Sequence, residues 1–299
     1  MDITRRRAIG QLLALGTGCC CGCRTTPITG RKQLLLMPEQ QEVAMGLSAF
    51  EELAKKEPPS NNRQYLQLVN RVGERIAKVA ERPDYKWEFQ VIAAETQNAF
   101  CLPGGKVAVY EGIVPVCANE SGLAVVMSHE IAHALARHGG ERMSQDYAVQ
   151  GVRKAVQYVT RQQDQKNQEL VLQAYGVASQ YGVILPYSRK HESEADHMGV
   201  LLMAKAGYDP SEAPRFWQRF AGLHQGKQTP EFLSTHPSDE RRAKDLVALL
   251  PEAGKLYQAN SNRYGLGEQI ATALPSQNGS GPPLTAPAAF TGGYAPVRN

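Results

Sequence analysis

An α+β fold, mostly helical with one small sheet, is what the sequence predicts. Three observations lead there. Long stretches carry apolar residues at spacings of three and four, the period of a helix with one buried face. Two short stretches, Trp87–Ala93 and Lys106–Val114, read as strands. Prolines at 58, 59 and 83 break the helical stretches from one another and from the strands.

The elements follow in order. Residues 24–37 are polar and marked by Pro and Gly. Helices are expected over 38–57 and 61–82, the second with a stripe of Leu66, Val69, Val72, Ile76 and Val79. Between the two strands, Asn98 to Gly105 is a short extended stretch ending in a turn. Residues 119–159 read helical with a break at Gly139-Gly140, then 161–169 as a polar, Gln-rich loop. The uncharged run 171–187 reads as a core helix, too short and too interrupted by Gly and Gln to span a membrane. Further helices are expected at 189–206, 210–223 and 238–250, and the Gly/Pro-rich stretch 251–299 as a disordered tail. No internal repeat is present.

Composition narrows the function. The chain has 299 residues, 42% apolar and 21% charged, with a net charge of +4. That excludes a wholly disordered chain. The lack of any run of about 20 uncharged apolar residues excludes a polytopic membrane protein. A strongly basic nucleic-acid binder does not fit this charge, so no nucleic acid is expected as a partner.

Residues 1–23 read as an export signal, with Arg5-Arg6-Arg7 before an uncharged, Leu-rich stretch. Four of the six cysteines (Cys19, Cys20, Cys21 and Cys23) follow directly. The cluster reads as lipobox-like, with Cys23 or Cys19 as the acylated residue and the lipid as a membrane anchor. The implied setting is a periplasmic, membrane-anchored lipoprotein of a bacterial cell envelope.

The chemistry lies in His129-Glu130-Ile131-Ala132-His133. Two histidines four apart share one helix face, so both imidazoles reach one ion. Glu130 sits about 100° around the helix, placed as a general base. The third ligand cannot come from a histidine six residues on, because that position is Gly139. His138 falls one residue earlier, about 140° from His133 if the helix continues, and reads as structural or surface. Glu192-Ser193-Glu194-Ala195-Asp196 supplies an acidic pair four apart. Glu192 is the expected third ligand, and Asp196 the acceptor that fixes the tautomer of His129. Glu194 points elsewhere, toward solvent or a salt bridge. Zinc is the expected ion, one per chain, although two histidines and a carboxylate also suit cobalt or manganese.

Several blocks together resemble the HtpX/LoiP/BepA-type gluzincins, family forty-eight of the metallopeptidases, related to the CAAX prenyl proteases. They are Pro27 to Leu34, Asn98 to Gly105, His129 to Arg142, Tyr187 to Asp196, and Ser234 to Arg241. The resemblance implies a zincin domain over residues 24–250, with an edge strand lining the active-site cleft. It makes Asn98, Ala99 and Phe100 a substrate-pairing strand. It places His236 near the metal, either as a fourth ligand that closes the site or as an oxyanion stabiliser. It implies a zinc endopeptidase that hydrolyses unfolded or misassembled envelope proteins. A chaperone-like lipoprotein whose zinc site is kept closed by His236 is the alternative. Pairing of Cys101 with Cys117 stays open at this level.

Overall fold

The structure is a computed structural model that describes residues 22–160, 185–223, 232, 236, 240–266 and 270. The expectations for the leader, Cys19, the polar loop, most of the apolar run 171–187 and the tail beyond residue 270 lie outside the described residues.

The described residues open with a hairpin of β1 (Cys23–Thr25) and β2 (Lys32–Leu34), then α1 (Glu39–Lys56) and α2 (Arg63–Val79). Strands β3 (Glu88–Ile92), β4 (Ala99–Leu102) and β5 (Lys106–Tyr110) follow. A single 3-10 turn and the short α3 (Val114–Cys117) lead into α4 (Glu120–Leu135) and α5 (His138–Thr160). The last helices are α6 (Leu185–Lys205), α7 (Glu212–Leu223) and α8 (Glu240–Ala259). The predicted α+β class is what is found. Among the described residues, no helix is long and apolar enough to cross a membrane.

α2 starts where the Asn62 side chain accepts from the N–H groups of Gln64 and Tyr65. Its buried face is Tyr65, Leu68, Val69, Val72 and Ile76, so the stripe is rotated slightly from the one expected and leaves Leu66 at its margin. The three-stranded sheet has the order β3-β5-β4. β5 is buried along its whole length, parallel to β3 and antiparallel to β4. It stops at Tyr110, four residues before the expected end, because Glu111–Ile113 turns and Pro115 sits in the first turn of α3. The β4–β5 turn uses Gly104 and Gly105 at φ +87° and +84°, a region open to glycine at little cost. Among the described residues β4 has no strand partner beyond β5, so it is an edge strand, and it lies against α4.

The core lies where α4 is held between the sheet, α2 and α6. α4 and α6 approach most closely at Gly199. A Cβ there would stand 3.1 Å from His129 N and 3.2 Å from its Cα, so the absent side chain is what lets the two backbones meet.

Folded structure runs past residue 250. α8 continues through Pro251 to Ala259, burying Ala253, because packing of the last two turns outweighs the lost N–H. The chain then returns to the domain, where Tyr264 N donates to Gly207 O at 2.8 Å and Arg75 stacks 3.6 Å from the Tyr264 ring centre. Cys101 and Cys117 are both free, so the disulfide left open by the sequence is not formed; the Cys117 thiol lies 3.3 Å from Ile113 O. Cys23 opens β1 with an exposed, free thiol.

Candidate metal centre

α4 is capped by Asn119, whose side chain accepts from Gly122 N at 2.8 Å, with Glu120 favourably placed in the first turn. Almost every residue of α4 is buried, His129 and Glu130 among them, and His133 is half-buried one turn on. The Nε2 atoms of His129 and His133 are 3.1 Å apart. Glu192, on α6, places Oε2 3.3 Å from His129 Nε2 and Oε1 3.4 Å from His133 Nε2. His236 Nδ1 stands 3.3 Å from His129 Nε2 and 3.1 Å from Glu192 Oε2. One ligand atom from each of these four residues falls within 4.8 Å of the others. His236 is held by its N–H to Phe232 O at 2.8 Å, and Phe232 is stacked on Trp217.

Asp196 Oδ1 lies 3.0 Å from His129 Nδ1, on the side of the ring away from the cluster. Arg242 grips Asp196 through Nε at 2.7 Å and Nη2 at 2.8 Å, and its guanidinium sits 4.1 Å over the Trp217 ring. Glu130 Oε1 is buried 3.3 Å from His236 Nε2 and makes no hydrogen bond.

These residues fit a divalent cation. Three imidazole nitrogens and a carboxylate are donors of the zinc type. Three buried carboxylates, Glu130, Glu192 and Asp196, face one buried guanidinium, Arg242, which leaves negative charge for a cation to balance. Burial and the carboxylates act on His129 and His133 in opposite senses. Burial opposes charge on His129, but the Asp196 and Glu192 carboxylates outweigh it and raise its pKa to about 9. Burial instead pushes His133 well below its ordinary value, and lifts the Glu130 carboxyl.

One sequence reading changes and another is narrowed. His138 is neither on the surface nor turned away. Arg137 adopts φ +56°, held by Glu42 and by Met37 O, and this left-handed residue ends α4. Helical rotation therefore cannot be counted across it, and His138 folds back to place Nδ1 2.9 Å from His133 Nδ1. Of the two readings of Glu194 the salt bridge holds: the side chain is buried, with Oε2 2.6 Å from Arg31 Nε and 3.0 Å from His138 Nε2. Arg242 is a site residue that the sequence motifs do not include. Its only sequence signal is its place directly after the Ser234 to Arg241 block.

A cleft of about 240 Å³ opens beside the cluster, with Cys101, Leu102 and Pro103 on one wall and His133, Glu192 and His236 at its base. Asn98, Ala99 and Phe100 lie further along the same edge; Asn98 and Ala99 are buried, and Phe100 packs toward Tyr110. A larger cavity of about 700 Å³, between the β1–β2 turn and the end of α2, touches none of the cluster.

A His-Glu-x-x-His helix packed on a second helix that carries the acidic ligand defines the zincin class of fold. Within that class, the chain belongs to peptidase family M48, whose family model matches residues 63–250. It is 38% identical over 232 residues to the mitochondrial metalloendopeptidase OMA1 of Schizosaccharomyces pombe, covering 76% of this chain and 66% of that protein. It is 30% identical over 246 residues to the human mitochondrial metalloendopeptidase OMA1, covering 78% and 47%. The β-barrel assembly-enhancing protease of Yersinia pestis is 28% identical over 211 residues, covering 69% and 43%. The chain thus spans from under half to just under two thirds of the length of these relatives.

The expected periplasmic lipoprotein is overturned by these relatives. Those at 30–38% identity are mitochondrial, and the β-barrel assembly-enhancing protease stands further off at 28%. The physical reason is that a basic, acid-poor N-terminus is shared by export signals and organellar transit peptides, so its composition does not fix a compartment.

Proposed function

We propose that this chain is a zinc-dependent endopeptidase of protein quality control, cutting extended segments of unfolded or misassembled proteins. The observation that supports it most is the clustered set His129, His133 and Glu192, with Glu130 Oε1 buried beside it and making no hydrogen bond. His129, His133 and Glu192 hold the metal. When bound, zinc supplies a Lewis acid and lowers the pKa of water at the site. Glu130 takes the proton of the attacking water on its carboxylate and returns it to the leaving amine nitrogen. Asp196 keeps the His129 ring oriented, and the edge of β4 offers main-chain groups to an extended substrate. Recognition through main chain gives broad sequence tolerance, as quality control requires.

Glu130→Gln tests this reading. Metal content should persist while cleavage of casein falls by at least 10²-fold. Cleavage that survives the substitution rules out Glu130 as the base.

A second reading has its own support: His236 contacts both the ligand set and Glu130. In that position it serves as a fourth ligand that closes the site. His236→Ala should then raise turnover; abolished turnover would assign it to the oxyanion instead.

A further inference from the structure

The turn joining β1 to β2 lies outside the 63–250 match, yet it reaches the metal centre. It is a tightly tied loop. Thr26 N donates to Arg31 O at 2.9 Å and Gly30 N to Thr26 O at 3.1 Å, with Ile28 and Gly30 at positive φ. Three of its side chains converge on Glu194. Thr26 Oγ1 donates to Glu194 Oε1 at 2.6 Å, Thr29 Oγ1 donates to the same oxygen, and Arg31 Nε donates to Glu194 Oε2 at 2.6 Å. The other end of the Arg31 guanidinium forks onto Glu141 at 2.9 and 2.6 Å.

From Glu194 the contacts run inward. His138 Nε2 is 3.0 Å from Glu194 Oε2, and His138 Nδ1 is 2.9 Å from His133 Nδ1. The protons along this line have one consistent placement. Glu194, held by three donors, accepts and so takes the Nε2–H of neutral His138. That leaves His138 Nδ1 as an acceptor, which requires the hydrogen of His133 on Nδ1. His133 then presents the bare Nε2 lone pair to the cluster, where that atom stands. His191 stacks on His138 at 4.3 Å, and its Nε2 lies 3.0 Å from Glu141, fixing the His138 ring plane.

We propose that Thr26, Thr29 and Arg31 are positioning residues of the metal site, acting through Glu194 and His138 to fix the tautomer and orientation of the ligand His133. This rests on the zinc-site reading above. Asp196 reaches His129 in one contact; the N-terminal turn reaches His133 in three, through Glu194 and His138, so the hairpin is part of the metal centre and its displacement loosens the ion.

The test uses the full chain and measures zinc affinity by chelator competition, alongside the visible spectrum of the cobalt-loaded protein. Circular dichroism of the metal-free forms checks that each variant folds. Outer partners of metal ligands typically carry about 10–100-fold in affinity. Thr26→Val/Thr29→Val and Glu194→Gln should each weaken zinc binding by about that factor and shift the cobalt spectrum. Thr26→Ser/Thr29→Ser, which restores the hydroxyls, should return both to wild type. Lys32→Ala, exposed on the same hairpin, should change neither. Wild-type affinity and spectrum in the Val and Gln variants overturn the proposal while leaving the zinc site standing. Absence of zinc binding by the wild-type chain overturns both together.

Discussion

Replacing Arg242 with Met should damage stability and metal binding at once. The guanidinium is 3% exposed and is bound at 2.7 and 2.8 Å to Asp196, itself 6% exposed. Methionine fills much of the volume but leaves the Asp196 carboxylate buried without its cation. Breaking a buried pair from one side costs about 3–5 kcal/mol. Loss of the guanidinium from the Trp217 face adds about 1 kcal/mol. Asp196 also orients His129, so zinc affinity should fall by about 10–100-fold. Denaturant unfolding of the metal-free chain reads the first effect and chelator competition the second. Adding Asp196→Asn to Arg242→Met removes the stranded charge and should recover part of the stability. Arg242→Lys should rescue only partly, because a point charge cannot replace the two-pronged contact. A single Arg242→Met variant within 1 kcal/mol of wild type, with unchanged zinc affinity, would refute the reasoning.

Other outcomes follow from the packing. Gly199→Ala places a Cβ 3.1 Å from the His129 backbone and should cost about 1–3 kcal/mol by thermal unfolding, as overpacking does. Tyr208→Phe removes a buried hydroxyl that donates to Glu120 at 2.9 Å and accepts from Arg75 at 3.0 Å. It should cost about 1–2 kcal/mol with zinc affinity unchanged. Burial works to raise the Glu141 pKa, but His191 and Arg31 outweigh it and hold it at about 2, against an ordinary 4.5. A folded-state pKa below the unfolded one gives stability that is complete above about pH 4.5 and is lost as pH falls toward 2. Glu141→Gln should flatten unfolding curves across that window; an unchanged slope would remove Glu141 from the acid response.

Local signals carried much of this fold. Alternation and proline breaks place α1, α2, β3 and β5 to within a few residues, since those cues act over a single turn or strand. The spacing of four in His129 and His133, and again in Glu192 and Asp196, puts each pair on one helix face, where the structure has them. What could not be read depends on long-range contact. The left-handed Arg137 is stabilised by Glu42, 95 residues earlier, so no local pattern announces that α4 ends there and that His138 turns inward. Glu194 accepts from Thr26, 168 positions away, and nothing on its own helix names that partner. Pro251 misleads in the opposite sense, because the tertiary packing of α8 overrides a local breaker.

The most direct test is to measure zinc content and casein cleavage on the same preparation of the full chain, before and after chelation and after zinc is returned. A three-ligand protein site predicts about one zinc per chain, loss of cleavage on its removal and recovery on its return. Cleavage that persists after the metal is stripped, or a chain that binds no zinc, would contradict it.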